Sequence, residues 1–179
     1  MKKISVILLI VFTLSALFSC GAASRYAEAV RILDSPYTAS VRIAENGQIY
    51  EAAVVRDGTG KLEIGFLEPS LLCGISYGFD EENCSISYGG ISVRLEDKNT
   101  KDKISSGVYI WRQMLEPDEK KLTGRKVKDG ENTYTVVTDG KAEYKFDAET
   151  GKPLLITYGD TVISFTEFEK NVNISESTG

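Results

Sequence analysis

From Tyr37 to Glu169, apolar and polar side chains alternate, with breaks at short intervals made by Gly, Asn, Asp or Pro, and this limits the fold more than any other feature. Side chains on a strand point to opposite faces in turn, so such a run can bury one face only. Tyr37–Glu45, Gln48–Arg56, Lys61–Leu67, Leu72–Phe79, Cys84–Tyr88 and Ile91–Glu96 are predicted strands. Asn46-Gly47 between the first two is a strong two-residue hairpin signal. Leu122–Lys128, Asn132–Thr138, Lys141–Asp147, Lys152–Tyr158 and Thr161–Glu169 follow, mostly joined by turns such as Asp129-Gly130 and Asp139-Gly140. Antiparallel connections of this length need no crossover helix.

Two stretches have helical spacing instead. Ser24–Asp34 carries Tyr26, Ala29, Val30 and Leu33 on one stripe, with Ser24 placed as N-cap and Ser35-Pro36 ending it. Ile104–Leu115 carries Val108, Trp111 and Leu115, with Gly107 interrupting the pattern. The expected fold class is α+β: a mainly antiparallel, strongly curved sheet of about ten strands forming an open half-barrel, covered by an N-terminal and a mid-chain helix.

Ahead of this lies an export signal. Met1-Lys2-Lys3 is basic and Ile4–Phe18 is apolar, a length that matches a signal-peptide core better than a spanning helix of about 20 residues. Leu17-Phe18-Ser19-Cys20 resembles the bacterial lipobox, which implies cleavage after Ser19 and a diacylglyceryl thioether on Cys20. Two or more acyl chains anchor stably, where one holds only marginally. Ordinary cleavage near Ala22-Ala23 and an uncleaved anchor are the alternatives. The expected organisation is signal peptide 1–19, lipidated N-terminus 20–23, one domain 24–170 and a polar tail 171–179. The expected location is the extracytoplasmic face of a cell membrane, with the bilayer as partner through Cys20.

Cleavage leaves 160 residues with 19 basic and 26 acidic side chains, a formal −7. Nucleic acid and anionic headgroups attract Lys/Arg clusters, so an acidic balance makes nucleic acid an unexpected partner and attachment by lipid rather than charge the expectation.

The chain contains no histidine, which removes Ser-His-Asp and Cys-His nucleophiles and the HExxH zinc pattern. A carboxylate pair cannot be chosen among 26 acidic residues without geometry, and Asp80-Glu81-Glu82 reads as a solvated hairpin tip. No catalytic residue, metal site or cofactor is expected, and the reading is a protein that is not an enzyme.

The most informative segment is Leu72–Phe79 with Cys84–Tyr88. One face carries Cys73, Ile75, Tyr77, Phe79, Cys84, Ile86 and Tyr88, and the other, almost bare, carries Gly74, Ser76, Gly78, Ser85, Ser87 and Gly89. An ordinary half-buried hairpin and a curved sheet round a cavity fit this equally; Gly in strands often marks close approach or bending. With a four-residue turn, Phe79 faces Cys84 and Cys73 lies about 20 Å further along, beyond the roughly 7 Å reach of a disulfide. Both cysteines are thus expected as buried thiols unless Cys73 lies outside the strand.

Phe66-Leu67-Glu68-Pro69-Ser70-Leu71-Leu72-Cys73-Gly74, Ser85-Ile86-Ser87-Tyr88-Gly89-Gly90 and Tyr144-Lys145-Phe146-Asp147-Ala148-Glu149-Thr150-Gly151-Lys152-Pro153 resemble the turn and strand motifs of LolA/LolB-type lipoprotein carriers. The resemblance implies a half-barrel round an apolar cavity with helices as lid, holding an acyl chain or lipoprotein, or serving as a sensor. The candidate cavity residues, from the face pattern, are Phe66, Leu72, Ile75, Tyr77, Ile86, Tyr88 and Trp111, each of which plain core packing explains as well.

Overall fold

The computed structural model describes residues 26–80, 83–95 and 106–171. The signal segment, Cys20, Ser24 and the tail from 172 onward lie outside the described residues. Residues 26–30 form an α-helical turn running into a 3-10 turn, Arg31–Leu33, together α1. Six strands follow: β1 Tyr37–Glu45, β2 Gln48–Arg56, β3 Leu62–Glu68, β4 Ser76–Phe79, β5 Cys84–Tyr88 and β6 Ile91–Leu95. Helix α2 is Ser106–Leu115, and a 3-10 turn at Glu119–Lys121 leads to β7 Thr123–Asp129. Strands β8 Asn132–Thr138, β9 Glu143–Asp147, β10 Pro153–Tyr158 and β11 Thr161–Lys170 complete the described chain.

All eleven strands form one open sheet in the order β6-β5-β4-β3-β2-β1-β11-β10-β9-β8-β7. Each half is an antiparallel meander, and β1 pairing with β11 joins them. The hairpin at Asn46-Gly47 has φ of 50° and 78°, the left-handed pair a two-residue turn needs to match strand twist.

Register aligns the apolar alternation into rows. Val137, Tyr144, Ile156, Ile163 and Ile43 stand opposite one another across β8, β9, β10, β11 and β1, all essentially buried. A second row runs Ala39, Val54, Ile64, Tyr77, Ile86 and Val93 from β1 to β6. Its first three members are buried, Tyr77 and Ile86 are half-buried, and Val93 is 55% exposed. Burial therefore fades toward the β6 edge.

Both helices pack on this inner face. Val30 and Leu33 of α1 and Val108, Trp111, Met114 and Leu115 of α2 join the sheet residues in one buried cluster. Arg56 also stands on the inner face, between Tyr37 and Leu62. Asp34 and Glu116 each lie 3.6 Å from its guanidinium, tying the ends of α1 and α2 to β2. Burial raises the Asp34 carboxyl above its ordinary range, with Arg56 opposing.

The start of α1 is pinned to β7 by a close approach. A Cβ on Gly124 would stand 2.7 Å from the Tyr26 ring and 2.8 Å from the Val136 carbonyl oxygen. Gly124→Ala should therefore lower unfolding stability by an overpacking cost of about 1–3 kcal/mol, seen as a lower urea midpoint. Hydrogen exchange should speed up at residues 26–33 first; an unchanged midpoint would show that α1 is not held there.

Two expectations need correction. The strand expected over Leu72–Phe79 begins only at Ser76, because residues 69–74 form a turn closed by Leu72 N–H to Pro69 O and Ile75 N–H to Leu72 O. Cys73 accordingly lies in that turn and is exposed, while Cys84 is buried opposite Phe79 and neither forms a disulfide. On the bare outer face of β4–β5 the Lys61 stem approaches Gly78, its Cε lying 3.2 Å from the glycine's Cβ position.

Candidate functional site

The sheet and α2 do not meet everywhere. Near the start of α2 they leave a cleft of about 370 Å³ lined by Glu45, Tyr50, Phe66, Leu72, Ile75, Tyr77, Gly107, Val108 and Trp111. The β3–β4 turn makes one wall. Gly74 takes φ +84° there, its N–H bonds Phe66 O and Ile75 O accepts from Phe66 N–H, which turns Leu72 and Ile75 toward the helix.

Aromatic rings form the floor. Phe66 lies 5.7 Å from Trp111 and 6.1 Å from Tyr77, and Tyr50 lies 5.2 Å from Trp111, all tilted or edge-on as ring quadrupoles favour. The Tyr50 hydroxyl donates to the Gln48 side chain. Trp111 is 2% exposed, and its indole N–H has no hydrogen-bond partner among the described residues. Tyr77 titrates above its ordinary value through burial first and the nearby Cys84 second.

Among the described residues lining the cleft, Glu45 supplies the single carboxylate. Its Oε2 would stand 2.6 Å from a Cβ on Gly107, and Thr161 Oγ1 donates to its Oε1 over 3.3 Å. The glycine that interrupts the helical pattern is thus where a carboxylate rests on the first turn of α2.

Five of the seven expected residues, Phe66, Leu72, Ile75, Tyr77 and Trp111, meet in this cleft. Ile86 is half-buried one strand further out, and Tyr88 is 64% exposed with its ring over Gly74. Tyr50, Val108 and Glu45 escaped the sequence reading. The register Ile43↔Tyr50 set by Asn46-Gly47 places Tyr50 on the inner face and was the available signal.

Other concavities carry less chemistry. One of about 350 Å³ brings together Arg56, Lys61, Arg112, Asp80 and Glu116. Glu116 engages both arginines there, at 3.6 Å from Arg56 and 2.8 Å from Arg112. Among the described residues no three His, Cys, Asp or Glu are grouped to hold a metal ion.

No family model and no curated protein matches the chain. Among solved structures, an uncharacterized conserved protein from Thermus thermophilus overlays with a TM-score of 0.55 at 16% identity, over 83% of this chain and 87% of that one. MucB overlays with a TM-score of 0.51 at 13% identity, over 86% of this chain and 60% of MucB. The open antiparallel sheet carrying helices on one face is the fold shared with these two structures. A LolA superfamily protein from Nitrosomonas europaea matches with a TM-score of 0.39 and 11% identity, over 84% of this chain and 93% of its own. At these identities the likeness is one of fold. Within its half-barrel this chain fills much of the concave face with its own side chains, and one of the spaces it leaves lies beside Trp111.

Proposed function

We propose that this chain is a lipid-anchored envelope protein, not an enzyme, that holds an apolar group in the cleft between α2 and strands β2–β4. Cys20 carries the anchor, and the occupant is the end of an acyl chain or a lipidated partner. The observation that carries the reading is the cleft itself, where residues chosen for their apolar face converge on an aromatic floor. Its volume of about 370 Å³ falls at the lower end of the roughly 300–1,000 Å³ typical of ligand sites, room for one chain rather than several.

Trp111 is the sole tryptophan of the sequence, so its emission reports on the cleft without labelling. Titrating the full-length protein with a fatty acid should change Trp111 emission saturably, and native mass spectrometry should show co-purified lipid. A flat titration with no lipid bound would overturn the reading. Metabolic labelling with a palmitate analogue should mark the wild type and fail on Cys20→Ser; equal labelling of both would end the anchor assignment.

The densely filled remainder of the interior favours a second reading, a tethered interaction or sensor protein with no lipid ligand. Binding of a protein partner without any Trp111 response would select it.

A further inference from the structure

The net acidity of the chain conceals one concentrated basic element. Five of the nine residues 120–128 are Lys or Arg and none is acidic. They fall on the 3-10 turn Glu119–Lys121 and on β7, which is an edge of the sheet with no strand beyond it among the described residues. Lys121, Arg125, Lys126 and Lys128 are all exposed. Glu143 reaches Arg125 only at 4.0 Å with both side chains more than half exposed, Glu119 pairs with Arg31 at 3.5 Å, and Asp118 before the run and Asp129 and Glu131 after it lie outside it in sequence.

The placement of this strand gives the charge a partner. The ring of Tyr26 rests on Gly124, so the chain enters the described structure against β7. Lys126 and Lys128 share with Gly124 the face on which Tyr26 sits, by strand alternation. Cys20 precedes Tyr26 by six residues, a reach of at most about 20 Å even fully extended. If the Cys20 anchor holds, β7 cannot leave the neighbourhood of the bilayer.

We infer that the β7 edge is a docking surface for anionic lipid headgroups of the membrane that carries the anchor. Clusters of this size beside an anchor are attracted to anionic leaflets, and the attraction fades within a Debye length. The inference rests on the Cys20 anchor for proximity but not for the charge. The rival explanation is that edge lysines merely block pairing with a further strand. That role predicts indifference to lipid composition.

The test uses the lipidated protein, purified from membranes and reconstituted into vesicles of phosphatidylcholine alone or of equal phosphatidylcholine and phosphatidylglycerol. Lysine acetylation by a membrane-impermeant reagent is read by mass spectrometry, with Lys61 on the other half of the sheet as reference. Lys121, Lys126 and Lys128 should react at least about threefold more slowly in the anionic vesicles, and high salt should remove the difference. Lys126→Glu with Lys128→Glu should abolish the protection of Lys121 while leaving palmitate labelling and the unfolding midpoint unchanged. Equal reactivity in both vesicle types, or equal protection in both, would overturn the proposal. Protection by a duplex oligonucleotide and none by anionic vesicles would overturn it too, in favour of a polyanionic macromolecule. If Cys20 proves unlabelled, flotation of the chain with anionic vesicles only would keep the β7 contact and end the anchor.

Discussion

Trp111→Ala is expected to lower unfolding stability by about 3–5 kcal/mol, the usual cost of truncating a large buried aromatic. The side chain is 2% exposed and touches Tyr50 and Phe66, so removing it leaves an aromatic-lined void that the surrounding sheet cannot close. Trp111→Phe isolates the second consequence. It keeps a ring in contact with Phe66 and deletes an indole N–H that has no partner among the described residues, a buried donor that otherwise costs about 1–3 kcal/mol. The phenylalanine variant should therefore lie within about 1.5 kcal/mol of wild type in urea denaturation. A loss as large as that of the alanine variant would mean that the indole is hydrogen-bonded. Fatty-acid affinity, read by calorimetry because the reporter is gone, should fall more for alanine than for phenylalanine.

Asp139→Ala is the second large effect, about 3 kcal/mol, or roughly 6–12 °C in Tm for a chain of this size. Asp139 is 6% exposed and accepts from the backbone N–H groups of Lys141 and Ala142, each at 2.9 Å, and from the Tyr144 hydroxyl at 3.2 Å. Tyr144 is fully buried, so alanine leaves its hydroxyl without an acceptor. Burial by itself pushes the Asp139 carboxyl upward, but the N–H groups of Ala142, Lys141 and Asp118 and the Tyr144 hydroxyl overcome it and leave the group below its ordinary value. A carboxyl depressed by folding stabilises above its unfolded pKa, near 3.9, and that contribution is lost as pH falls through the depressed value. The gap between wild type and Asp139→Ala should accordingly be constant at neutral pH and narrow in acid. Asp147, whose Oδ1 accepts from Glu149 N–H, Thr150 N–H and the Thr150 hydroxyl, is the counterpart outside the core, and Asp147→Ala should barely move the transition. Equal losses at the two sites would remove burial as the explanation.

Asp139 and Asp147 also show where reading along the chain stops. Both open turns that end in a left-handed glycine, Gly140 and Gly151. Nothing local distinguishes them; only the packing of α2 and β9 around the first makes its carboxylate a core group. Likewise Cys73, Ile75, Tyr77 and Phe79 continue an unbroken alternation, yet the first two lie outside β4. Alternation records which way successive Cβ atoms would point in an extended chain, and cannot register the turn bonds that fold Leu72 and Ile75 back. That turn is what brings them to the cleft.

By itself the sequence determined most of the strands and their turns. Tyr37–Glu45, Gln48–Arg56, Cys84–Tyr88 and Asn132–Thr138 stand at the expected bounds, because period, β-branching and positive-φ residues act within a few positions of one another. Of the seven expected cavity residues, five line the cleft, and one of these, Trp111, came from helical spacing. Tertiary structure decided the rest. Pairing of Tyr37 with Lys170 joins the two meanders across more than a hundred residues of chain, which no local signal encodes. It also decided how full the half-barrel is, since volume depends on which side chains from both halves meet under α2. And it set the basic strand β7 against Tyr26, turning a run of lysines with no evident purpose in the sequence into a surface beside the chain's point of entry.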